Sequence, residues 1–89
     1  MSEFEKAAKI VEALKAAERE PSQAALPILN GLVGLMREGL EQPFEVEEAR
    51  ANAFLAICEV AKALHRGNPA DHLWPSAIDA AERWMFLAT

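Results

Sequence analysis

The chain has 89 residues, 52% of them hydrophobic and 26% charged, with a formal net charge of -5 from 14 acidic and 9 basic side chains. That balance is too apolar for an intrinsically disordered segment and too acidic for a binder of phosphate backbones, which draws on clustered Lys and Arg. Cys58 is the single cysteine, which excludes an intrachain disulfide and fits a reducing compartment.

The first helix is expected from about Ser2 to about Glu18. Ser2 and Glu5 have the S-x-x-E spacing of a capping box, and Phe4, Ala7, Val11 and Leu14 follow at three-four spacing with Ile10 widening the stripe. Glu5 and Lys9 make an i,i+4 pair on the exposed face, and Pro21 ends the element. Ser22 or the Leu26-Pro27 step opens the second helix, since Pro is tolerated in a first helical turn. Ile28, Leu29, Leu32, Val33, Leu35, Met36 and Leu40 then fall on nearly every side of it, the pattern of a buried central helix. Gly31 and Gly34 suggest close approach by a neighbour, with room for an apolar ligand between the second and third helices. Gly39 is placed as the stop.

The third helix is expected from about Val46 to Arg66, with Val46, Ala49, Ala53, Ile57, Val60 and Leu64 as its core stripe. Phe54, Leu55 and Cys58 broaden that stripe. Lys62, His65 and Arg66 suit the negative end of the helix dipole, and Gly67-Asn68-Pro69 stops the helix. A fourth helix starts at Pro75 or Ser76, with Ser76 and Asp79 as a second capping box and Asp79 and Arg83 as an i,i+4 pair. Ile78, Ala81, Met85 and Ala88 face inward by spacing. No stretch alternates with period two, so strands are not expected. The fold class is all-α: a compact bundle of about four helices in a single domain, 1–89, completed by dimerisation.

Few residues ask for chemistry. His65 and His72 are the only histidines and stand outside any H-E-x-x-H or E-x-x-H pattern, so no metal site is expected. Cys58 lies among Phe54, Leu55 and Ile57 and reads as a small hydrophobe. Ser2, Ser22 and Ser76 each stand at a helix start, where capping accounts for them. The four glycines match no nucleotide fingerprint. The expectation is no enzyme, no cofactor, no nucleic acid and no membrane. With no Lys/Arg-headed apolar run at its start and no apolar stretch near the about eighteen residues of a membrane span, the chain is placed in the cytoplasm.

Association is the better-supported reading. Trp84-Met85-Phe86-Leu87 are four large apolar residues in succession, and at about 100° per residue they fan over most of a helix circumference. One small domain cannot cover the whole fan. Phe54, Trp74, Trp84, Phe86 and Leu87 are therefore the candidate surface of a homodimer built from the third and fourth helices. The second reading is a monomeric inhibitor, immunity-type protein or adaptor. It would dock on a basic protein through an acidic patch of Glu38, Glu41, Glu45, Glu47 and Glu48. In length, acidity and helix content the chain is similar to nuclease-type bacteriocin immunity proteins, but it has no Tyr and so lacks their Tyr-Tyr-Pro binding motif.

Overall fold

The computed structural model describes residues 2–38 and 41–89, which form α1 (Glu3–Glu18), α2 (Ser22–Met36), α3 (Phe44–His65) and α4 (Trp74–Leu87). The fold is all-α, a four-helix bundle about 36 Å long and 20 Å across. Consecutive helices pack on each other, and α4 closes the square against α1. Among the described residues the backbones of the diagonal pairs stay apart, and α1 reaches α3 through the Glu3–Arg50 ion pair. Short connections between neighbours give up-down-up-down order, so α1 and α3 begin at the end where α2 and α4 finish.

Local chemistry explains most boundaries. Ser2 Oγ accepts from the Glu5 N–H at 3.1 Å, and the Ser2 carbonyl accepts from the Lys6 N–H at 3.0 Å. This is the first half of the expected capping box. Pro21 and Pro43 precede α2 and α3 in extended conformation; each offers only its carbonyl, which takes two amides of the following turn. The α2 start is therefore at Ser22, with Pro27 inside the helix. The missing Pro27 N–H leaves the Gln23 carbonyl on an exposed face, where solvent can reach it. Gly67, at φ +71°, closes α3: its N–H bonds to the Leu64 carbonyl at 3.1 Å and the Asn68 N–H bonds to the Ala63 carbonyl at 2.8 Å. Those are the two bonds of a Schellman motif. The stop placed at Gly39, and Leu40 before the acidic connector, lie outside the described residues.

One core runs through the bundle. It takes Ala7, Ile10, Val11, Leu14 and Ala17 from α1, and Ala25, Leu29, Leu32 and Met36 from α2. From α3 come Val46, Ala49, Ala53, Ile57, Val60 and Ala63, and from α4 Trp74, Ala77, Ala81 and Trp84. Small alanines at the contacts let the helix axes approach, and the two indoles fill the space between. No buried side-chain polar atom among the described residues lacks a partner.

Three expectations are corrected by this arrangement. First, α2 is not a central helix. A square of four helices has no central place for one, and α2 turns Leu35 and both of its glycines to solvent. A Cβ added at Gly31 or Gly34 would meet nothing within 4 Å, so no neighbour approaches there, and the open hollow of about 280 Å³ between α2 and α3 is lined instead by Leu26, Asn30, Ala61, Lys62, His65 and Arg66. Second, α4 begins at Trp74, with Pro75 in its first turn, and Ser76 is an exposed interior residue rather than a cap. Third, α4 is rotated relative to the expected Ile78–Met85 stripe. Ala77, Ala81 and Trp84 are fully buried, while Ile78, Met85 and Ala88 are only half-buried. Burying two indoles removes more apolar surface than burying Ile78 and Met85, and that difference sets the rotation.

Candidate interaction surface

The surface is best understood from the end of α4. Trp84 points inward with 0% exposure, and its Nε1–H donates to Glu3 Oε2 at 3.0 Å. Glu3 also takes Arg50 Nη1 at 3.4 Å, and Arg50 Nη2 reaches Glu47 Oε2 at 2.5 Å. Glu47 Oε1 in turn accepts the Gln42 N–H at 3.0 Å. This chain of bonds ties the start of α1 and the approach to α3 to the end of α4. With Trp84 so held, the fan leaves Met85 and Leu87 half-buried and Phe86 78% exposed, about half a turn from the core. Trp84, and Trp74 at 5% exposure, thus belong to the interior of this chain. Neither offers a surface anchor, because each fills the core of its own chain.

A second apolar surface lies on α3. At about 100° per residue, Phe44, Ala51, Leu55 and Cys58 fall within roughly 60° of one another, opposite the buried stripe. Phe44 is 77% and Leu55 61% exposed, Ala51 is exposed and Cys58 half-buried. The same line carries exposed Glu48 near its start and exposed Lys62 and Arg66 near its end. Phe54, a quarter-turn away, is half-buried and has the Arg37 guanidinium 5.8 Å from its ring centroid, a cation–π contact that partly covers it. Leu55 and Cys58, expected to broaden the core stripe, lie opposite it instead, because the stripe from Val46 to Ala63 already fills the space facing α2 and α4; Phe44 belongs to no expected stripe. The signal that finds them is the helix period itself, counted from the face opposite the core.

The acidic residues do not behave as one group. Glu38, Glu41, Glu45 and Glu48 are exposed, whereas Glu47 is committed to Arg50 and the Gln42 amide. Lys6 Nζ donates to the Glu38 backbone carbonyl, placing a cation beside that end of the patch. Glu45 and Glu48 border a hollow of about 280 Å³ between α3 and α4, shared with Asn52, Arg83 and Leu87. At the other end of α3 an open hollow of about 480 Å³ is lined by Glu59, Lys62, Arg66, Asn68 and His72, among others. The α3 surface therefore runs from acidic at its start to basic at its end.

His65 and His72 are exposed, and among the described residues no three of His, Cys, Asp and Glu come together as a metal-binding group. No helix among them is long and apolar enough to cross a membrane. Comparison with protein-family models, with curated proteins and with solved structures finds no match to this chain.

Proposed function

We propose that this chain is a small acidic protein–protein interaction module without catalytic activity, self-associating through α3 and α4 in the cytoplasm. The observation that carries the reading is the outward exposure of Phe44, Leu55 and Phe86 on those two helices, beside a core that is already filled and satisfied. Covering apolar surface stabilises association by about 25 cal/mol per Å² removed from water, before the costs of binding are subtracted. Trp84 and Trp74 play no direct part in this surface. Phe86 and Leu87 remain from the residues expected at the interface, with Phe54 at its margin and Leu55 and Phe44 added.

The test is a pair of charge insertions, Leu55→Asp and Phe86→Asp, read by sizing and by far-ultraviolet circular dichroism. Both sites are exposed, so helix content is expected to stay at the wild-type level while the apparent mass falls to that of a monomer. A double variant that keeps the wild-type mass would overturn the reading. The exposed Glu38, Glu41, Glu45 and Glu48 favour a second reading, a monomer docking on a basic protein. That reading predicts salt-sensitive binding to a defined basic protein partner that is lost when Glu45 and Glu48 become Gln.

A further inference from the structure

We propose that the outer face of α3 receives α3 of a second copy, antiparallel, about a twofold axis through Leu55. This rests on the self-association reading and adds to it a register, an orientation and a charge pattern. The outer line of α3 reads Phe44, Glu48, Ala51, Leu55, Cys58 with Glu59, Lys62 and Arg66, in steps of three and four residues. Such spacing keeps all of them on one side of the helix, as along a coiled-coil seam. In an antiparallel pair with Leu55 on the axis, a residue n places before Leu55 faces the partner's residue n places after it.

That rule produces complementary partners towards both ends of the line. Glu48, seven places before the axis, faces the partner's Lys62, seven places after it. Phe44, eleven before, faces the partner's Arg66, eleven after, which suits a guanidinium over an aromatic ring. Ala51 faces the partner's Glu59 and leaves room for the two Leu55 side chains to meet at the centre. A parallel pair would set Glu48 against Glu48 and Lys62 against Lys62, like charges that oppose docking. A strongly acidic or basic protein would match only one half of this face. Its own reverse matches both halves. Lys62 lies 3.6 Å from Glu59 of its own helix, but that pair is well exposed and holds Lys62 weakly.

The size of the contact sets its strength. A 22-residue helix is about 33 Å long. A strip of that length and about 10 Å width buries about 330 Å² per copy, under half of the about 800 Å² per partner of a standard interface. The dimer is therefore concentration-dependent, and its terminal charge pairs make it weaker as salt rises.

Cysteine cross-linking tests the register. In a Cys58→Ser background, Leu55→Cys puts two thiols on the axis. Helices packed about 9 Å apart, each with a Cα radius of about 2.3 Å, bring those Cα atoms to about 4.4 Å, within disulfide reach. Ala51→Cys in the same background puts the two thiols about 12 Å apart along the axis, beyond reach. Treatment with copper–phenanthroline is expected to convert the Leu55→Cys protein to a covalent dimer and to leave the Ala51→Cys protein monomeric on a non-reducing gel. In a parallel sizing series, Glu48→Lys is expected to weaken the dimer about tenfold and Lys62→Glu added to it to restore the dimer. Equal cross-linking at both positions, or a Glu48→Lys dimer of undiminished strength, would overturn the antiparallel register while leaving self-association through another face. A wild-type chain that stays monomeric at millimolar concentration would overturn both.

Discussion

Glu3 joins parts of the chain that are far apart in sequence. Its carboxylate meets Trp84 from the end of α4 and Arg50 from α3, and its side chain is only 7% exposed. Hydrogen bonds to a charged group contribute roughly 1.5–3 kcal/mol, and a buried donor left without its acceptor costs a similar amount. Glu3→Ala is expected to lower unfolding stability in urea by roughly 1–3 kcal/mol, and Trp84→Phe, which loses the indole N–H but keeps much of the packing, by about 1–2 kcal/mol. Because the two share one bond, the double variant should lose less than the sum. Additive losses would mean the Nε1–Oε2 contact contributes nothing. The glycines divide in the same way by local geometry. Gly67, at positive φ, is expected to cost about 1 kcal/mol when changed to Ala. Gly31→Ala and Gly34→Ala, in open space on a regular helix, are each expected to raise stability by about 0.5–1 kcal/mol in the same assay.

The helices show what sequence can convey and where it stops. Ser2 with Glu5, Pro21, and Gly67-Asn68 are local signals acting through local bonds, and they place both ends of α1 and the end of α3 to within a residue or two, whereas α3 starts at Phe44, two residues before the expected Val46. Ser76 with Asp79 has the same spacing as Ser2 with Glu5, yet it lies inside α4 because the burial of Trp74 draws the helix start two residues earlier. Ser2→Ala is accordingly expected to cost about 1 kcal/mol and Ser76→Ala under about 0.5 kcal/mol, measured by thermal unfolding. Equal losses at the two sites would contradict the assigned start of α4. The rotation of α4 escaped periodicity, since an apolar run that includes Trp84, Met85, Phe86 and Leu87 satisfies several stripes at once. Only the volume left by α1 and α3 selects Trp84 for the interior. The peripheral place of α2 was hidden for a related reason: its residues are apolar on most sides, but Gly31, Gly34 and Pro27 add little surface to bury. The Glu3–Arg50 pair spans 47 residues and has no local signature at all.

At the scale of the molecule, a square of four antiparallel helices accounts for the core and leaves a polarised outer face. The interior is built mainly from Ala, Leu, Ile, Val and two Trp, and among the described residues no buried side-chain polar atom is left without a partner. The outer face is different: Leu55 and Phe86 stand in solvent on adjacent helices, and α3 passes from Glu45 and Glu48 to Lys62 and Arg66 along its length. Trp84→Asp is expected to abolish cooperative unfolding, because it places a carboxylate in the core beside Glu3. Leu55→Asp should leave folding intact. The self-association account stands or falls on the molar mass of the wild-type chain, measured by light scattering behind a sizing column over a hundredfold concentration range. The predicted result is a mass that climbs from near 9.8 kDa towards twice that value as concentration rises, and falls back when salt is added. A mass that stays at 9.8 kDa throughout would contradict the account.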